Sequence, residues 1–384
     1  MVALTLVAVL MLRESLAYVV RATDPALALR IDPANSEVQA SRAEQLLRES
    51  PANRAAAEAL ARRALRRSPV SAAGARMIAT ARDVAGDPAS ARRLIAYAAS
   101  LSQRDLPTQV WLIQDAVQHN DVPRALHHYD IALRSSDASK PLLLPVLVSA
   151  LSQPAVVAGL VDTIAARPEW APGFLAQAAH ESQDMGGLAA LIARLARRGY
   201  PIPIAVVAES SRRMADAGRY DLAWNVYAAA HPQAVRAAIH DPGFQRLGSI
   251  DGPFAWTVVP GNGLSVEQRR YGAQGALSYR VQTGAGGMVA RQLLMLAPGG
   301  FRLSGAVPER ADGSAPPALR LTCAGSGQPI ATIAADKPGF AQPFVVPADC
   351  PAQWLDILVD GGDNPLGASG AIGGLKVSPD QAGR

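Results

Sequence analysis

Asp87-Pro-Ala-Ser-Ala91-Arg-Arg-Leu-Ile95-Ala-Tyr-Ala98 opens on a short polar turn, places Pro where the first helical turn leaves an N–H unused, and sets two Ala seven residues apart. The phrase recurs. Asn53, Asp87 and Asp121 lie 34 residues apart, each followed four residues later by Ala57, Ala91 or Ala125, and seven residues after that by Ala64, Ala98 or Ala132. Downstream, the pairs Ala189/Ala196 and Ala223/Ala230 keep the seven-residue step and again stand 34 apart. Ile95, Tyr129 and Tyr227 all fall four after the first Ala of their pair, and Met77-Ile78 and Trp111-Leu112 repeat at the same interval. Small residues at fixed points let two helices approach closely, and a larger residue at i+4 fills the groove beside them. A helical hairpin of this length cannot bury its apolar face alone, so the pattern predicts stacked hairpins.

The 34-residue unit resembles the tetratricopeptide repeat. The unit around Ala91 supplies Ile78, Ala79, Ala91, Ile95 and Ala98 at that family's core positions, and the unit around Ala57 supplies Ala57, Ala64 and Pro69. It departs from the family in lacking the early Trp, in placing Gln103 and Asp137 where Pro belongs, and in a degraded unit at Pro154–Gly159. The resemblance covers residues 24–232. It implies a right-handed α-solenoid over residues 24–240 that holds a protein partner on a concave face.

Near His240-Asp241-Pro242-Gly243 the helical pattern stops, and Gly and Pro begin to punctuate short runs of period-two alternation. Strands are expected at 254–259, 276–282, 288–296, 300–307, 318–323, 328–334, 340–346, 353–359 and 371–377, making an antiparallel β-sandwich over residues 251–379. The stretches Gly275-Ala-Leu-Ser-Tyr-Arg-Val281, Val289-Ala-Arg-Gln-Leu-Leu294 and Pro298-Gly-Gly-Phe-Arg-Leu-Ser-Gly305, with the closing Ala371-Ile-Gly-Gly-Leu-Lys-Val377, resemble jelly-roll carbohydrate-binding modules. In Trp354–Asp360 the alternation assigns Leu355, Ile357 and Val359 to the core and turns Trp354, Asp356 and Asp360 the other way. An outward Trp beside carboxylates can stack a sugar ring and accept from its hydroxyls, with Trp256, Tyr271 and Tyr279 as further contributors. The competing reading packs this face against helices or the second sheet.

With 384 residues, 49% hydrophobic and 18% charged, the chain suits two folded domains. From Asp251 onward ten basic residues balance ten acidic ones, so the formal +5 resides upstream, where acids are interspersed and no basic stripe carries aromatics; nucleic acid is not an expected partner. Only three of the 37 basic residues are Lys, and with the Ala content this suggests a GC-rich bacterial genome. Cys323 and Cys350 read either as a disulfide of an exported protein or as two buried free thiols. Val2–Leu12 is an uncharged, apolar run of eleven residues, too short to span a bilayer, followed by Ser15-Leu16-Ala17. Residues 1–20 therefore read as a signal or inner-membrane-anchor segment, or as an amphipathic first helix. Either of the first two places the chain in the periplasm, anchored or exported.

Catalytic chemistry is not expected. All six His precede the β-region, so no Ser-His-Asp or Cys-His set forms within it. His180-Glu181 begins a zinc-protease phrase that ends at Asp184, and His127-His128 are adjacent and so point to different sides of a helix. Gly261-Asn-Gly263 and Gly284-Ala-Gly-Gly287 are turns with no following helix to receive a phosphate. Asp360-Gly-Gly-Asp363-Asn364 reads as a polar turn rather than a calcium loop, and Asp356 and Asp360, about 13 Å apart along a strand, are too far apart for a glycosidase pair. The sequence thus describes a non-enzymatic envelope scaffold in exopolysaccharide or envelope-polysaccharide assembly, without cofactor or metal. Its alternative is a lectin-like protein that binds polysaccharide through the sandwich and uses the solenoid as a spacer.

Overall fold

The computed structural model describes residues 2–248, 250–259 and 261–380. Among them are fourteen α-helices followed by ten strands in two antiparallel sheets. The chain forms two compact units. One runs up to Leu147 and includes Pro168–Trp170; the other comprises Val148–Arg167 and the chain from Ala171 onward.

The first unit is helical: α1 (Val2–Val20), α2 (Pro25–Ile31), α3 (Ser36–Glu49), α4 (Arg54–Arg67), α5 (Ala72–Val84), α6 (Pro88–Leu101), α7 (Leu106–Gln118), α8 (Val122–Ser135) and the start of α9 (Lys140–Ser149). Helices α4, α6 and α8 begin 34 residues apart, just after Asn53, Asp87 and Asp121, although Asn53 follows a short 3-10 turn and makes no side-chain cap. Asp87 and Asp121 accept hydrogen bonds from the backbone N–H groups of Ser90 and Arg124, and Pro stands in the first turn of α6 and α8. Neighbouring helices pair as α3 with α4, α5 with α6 and α7 with α8. Ala57, Ala64, Ala91 and Ala98 are completely buried at these contacts, and Ala125 and Ala132 nearly so.

Polar ties run between turns of this array. Asp115 on α7 meets Arg92 of α6 and Arg124 of α8, each at 2.8 Å, and the buried Arg76 meets Asp105 at 2.8 Å. Burial pushes the Asp115 carboxyl up, but the hydrogen bonds and charges of the two arginines outweigh it and hold it below the usual carboxylate range. At the start of the chain, Ala17 of α1 packs with Ala28 and Val38, and Arg13 pairs with Asp32 at 3.1 Å. The rest of α1 is open: Leu12 and Val19 are 70% exposed. Among the described residues no helix is long and apolar enough to cross a membrane.

The second unit holds α10 (Pro154–Ala165), α11 (Ala171–Glu181), α12 (Met185–Arg197), α13 (Ile204–Asp216) and α14 (Tyr220–Ala230). Ala189 and Ala223 are buried at its helix contacts, while Ala196 and Ala230 are half-buried. The strands are β1 (Thr257–Val258), β2 (Leu264–Tyr271), β3 (Gln274–Val281), β4 (Gly286–Leu294), β5 (Gly299–Arg310), β6 (Ala318–Cys323), β7 (Pro329–Ala334), β8 (Gly339–Val346), β9 (Gln353–Asp360) and β10 (Ala368–Pro379). They form one sheet in the order β1-β4-β9-β6-β7 and a second in the order β2-β3-β10-β5-β8. Strand β2 was not expected from sequence. It is an edge strand with a mostly exposed, charged run, Ser265-Val-Glu-Gln-Arg-Arg270, so no apolar alternation announces it.

Leu277 and Val281 from one sheet and Leu319, Leu355 and Ile357 from the other are at most 1% exposed and fill the space between them. Cys323 and Cys350 are joined by a disulfide with Cα atoms 5.5 Å apart, which ties the end of β6 to the approach of β9. Trp224 and Tyr227 of α14 pack with His240 and Phe254, all ring centroids within 5.8 Å, so the last helix is welded to the sandwich. The fully buried Gln292 of β4 completes this weld by accepting from the His240 N–H and donating to its carbonyl, both at 2.9 Å.

Candidate functional site

The middle of β9 sets the site. Its inward residues Leu355, Ile357 and Val359 are core, which leaves Trp354, Asp356 and Leu358 on the outer face. Ladder register then places Arg291 of β4 and Arg320 of β6 directly across from Asp356, one on each side. Arg291 approaches one oxygen at 3.1 Å and Arg320 the other at 3.0 Å, and Asp356 is only 1% exposed. The Arg291 guanidinium lies 4.3 Å from the centroid of the Trp354 ring. Asp356 is therefore an internal anchor that fixes Arg291 beside the indole, and it does not face solvent as expected.

A cleft of about 690 Å³ opens at Trp354 and Arg291. Its opposite wall is α13, which contributes Ala205, Glu209, Arg212 and Asp216, a stripe along one helix face, while Val206, Val207, Ser210 and Met214 on the other face are buried. Arg212 bridges the two acids, donating to Glu209 and to Asp216 at 2.8 Å each. The Arg212 hydrogen bond holds the Glu209 carboxyl below its usual range, against an opposing push from burial and with smaller help from His180. A third wall is the segment Ile250–Pro253. It can lie against α13 because residue 252 is Gly with φ +91°; a Cβ there would stand 2.5 Å from the Ser211 hydroxyl.

The remaining candidates lie elsewhere. Asp360 is exposed at the far end of β9, roughly 20 Å along the strand from Trp354, and accepts from the Gly362 N–H in the turn that follows. Trp256 is 2% exposed and donates its indole N–H to the Asp241 carbonyl; it backs the cleft and offers no ring face to a ligand. Tyr279 is 2% exposed within the core of the other sheet, its pKa pushed up to about 12 by burial, and its hydroxyl has no hydrogen-bond partner among the described residues. Tyr271 lies on the second sheet and donates to Glu309. Of the aromatic residues expected to meet a sugar, Trp354 and the buried Trp256 line the cleft, and of these two Trp354 is the one with substantial exposed surface.

The α13 stripe and Arg291 were missed from sequence. The stripe's spacing was readable, but it reads as an ordinary solvated helix face until the fold sets a Trp opposite it. No group of three or more His, Cys, Asp or Glu among the described residues is arranged to hold a metal ion. With Trp354, Arg212, Glu209 and Asp216 around it, the cleft offers one apolar ring surface and paired donors and acceptors.

No protein-family model and no curated protein matches the chain. Among solved structures, the chain is similar to TmCBM61 in complex with beta-1,4-galactotriose, at 13% identity and a TM-score of 0.27, over 38% of this chain and 100% of that one.

Proposed function

We propose that this is a non-enzymatic, saccharide-binding protein of the bacterial envelope, whose cleft beside Trp354 takes a sugar while the helical hairpins hold a protein partner. The observation that carries the reading is the cleft's composition. A half-buried indole is steadied by Arg291, and Glu209, Arg212 and Asp216 stand across from it. Sugars present apolar ring faces and dense hydroxyls, so they suit a Trp surface with charged donors and acceptors arranged around it. The carboxylates and guanidiniums are largely paired with each other, which favours hydroxyl-rich neutral ligands over a lone strong charge.

The hairpins α3 to α8, read as repeats of the tetratricopeptide kind, form the partner-binding part. Envelope location draws support from the Cys323–Cys350 disulfide, which persists in oxidising compartments, and from the exposed apolar residues of α1, which serve as an anchor. This combination suits a scaffold in polysaccharide assembly.

Affinity electrophoresis of the full chain through gels carrying a neutral galactan, a neutral glucan or anionic alginate tests the reading. Retardation in a neutral gel that disappears in Trp354→Ala is expected. Equal mobility in every gel, or retardation that the variant keeps, would sink the saccharide reading.

A further inference from the structure

We infer a second binding site, on the C-terminal half of α4, for an acidic peptide segment of a partner protein. Helix α4 carries five Arg and one Glu, while the rest of residues 1–147 balances thirteen basic residues with thirteen acidic ones. Four of the chain's formal +5 charges are thus concentrated on fourteen residues. Arg63, Arg66 and Arg67 stand at i, i+3 and i+4 on one helix face and, with Pro33, Ala34 and Gln39, line a recess of about 460 Å³.

Two observations argue that the recess awaits a ligand. Arg62, next in the chain, is spent on Glu58 at 2.6 Å, yet among the described residues none of Arg63, Arg66 and Arg67 meets a carboxylate; Arg67 only donates to the Ala34 carbonyl. Like charges at these spacings repel, and attraction to the helix C-terminus explains the two arginines in the last turn but not Arg63. Independently, Gln39 is 5% exposed, donates through Nε2 to the Pro33 carbonyl at 2.6 Å, and leaves its buried Oε1 without a partner. An unmet carbonyl in such a place calls for a donor.

The occupant must bring carboxylates for the guanidinium forks and an N–H for Gln39 Oε1. A peptide rich in Glu or Asp brings both. Inorganic phosphate also carries hydroxyl donors at neutral pH, but it is one small anion for three guanidiniums, whereas an acidic peptide brings several carboxylates. The recess lining contains no aromatic on which a nucleobase or sugar ring could stack.

Fluorescence anisotropy of the full chain with a labelled octaglutamate peptide tests the site. Binding is expected, weakened at least tenfold by Arg63→Glu and by Arg66→Glu, measured separately so that one serves if the other fails to fold. Arg54→Glu, the same charge change on the same exposed helix but outside the recess, should alter affinity less than twofold. Gln39→Leu should weaken binding about threefold or more. Absence of octaglutamate binding would overturn the assignment, as would equal weakening by Arg54→Glu. So would more effective displacement by an eight-residue oligothymidylate or by inorganic phosphate than by unlabelled octaglutamate.

Discussion

An acidic side chain on the outer face of a strand can meet a ligand only if its ladder neighbours leave it free. At Asp356 they do not: Arg291 and Arg320 take one oxygen each, and the carboxylate is spent on holding Arg291 over Trp354. Asp356→Asn removes the charge that both arginines answer. Because Arg291 and Arg320 are themselves 32% and 42% exposed, water recovers part of the loss. A destabilisation of about 2 kcal/mol is expected in urea denaturation, with weaker saccharide binding as Arg291 swings from the indole. Another residue reports through pH. Burial, with the nearby charges of His127 and Arg124, lowers His128 to about 4, and its ring meets Gln109 at 3.0 Å. The folded state therefore resists a proton that the unfolded chain accepts near the ordinary value of about 6.5, so stability falls as pH drops from there towards 4. His128→Gln, which keeps a polar partner for Gln109, should flatten the melting temperature over that window, as a thermal series across pH would read; an unchanged slope would contradict the assignment.

At the scale of elements, the 34-residue step in the sequence becomes the 34-residue step between the starts of α4, α6 and α8: the buried alanine pair recurs in all three, while the capping Asp and the first-turn Pro open α6 and α8. Ala91→Leu should cost about 1–3 kcal/mol by guanidinium unfolding, since a fully buried residue at a close helix contact has no room for the added carbons; a neutral result would mean that the helices do not meet there. The β-sandwich was legible from the same kind of pattern, in the alternation of Leu319, Leu321 and Cys323 and of Leu355, Ile357 and Val359. Strand β2 was not legible, because an edge strand with solvent on its exposed face carries charges where a buried strand carries apolar residues. The site was legible in part. Trp354 was readable from alternation in one strand, whereas Glu209, Arg212 and Asp216 belong to a helix more than 130 residues away and acquire meaning only from the fold. Trp256 and Tyr279 were misread because an aromatic in an apolar run looks the same in sequence whether its ring faces a ligand or the core.

On the proposed readings, each of the two units carries one feature for a partner. The helical unit concentrates its charge surplus at the end of α4, and the unit containing the sandwich sets Trp354 opposite the α13 stripe. On the proposed reading, Trp354 receives a sugar ring. Indole emission during titration with an oligosaccharide of a retarding neutral polysaccharide tests it most directly. Four other tryptophans contribute signal, so the full chain and Trp354→Phe should be titrated side by side. A saturable change present in the full chain and absent from Trp354→Phe is predicted; the same change in both, or none in the full chain, would rule out a sugar ring on Trp354.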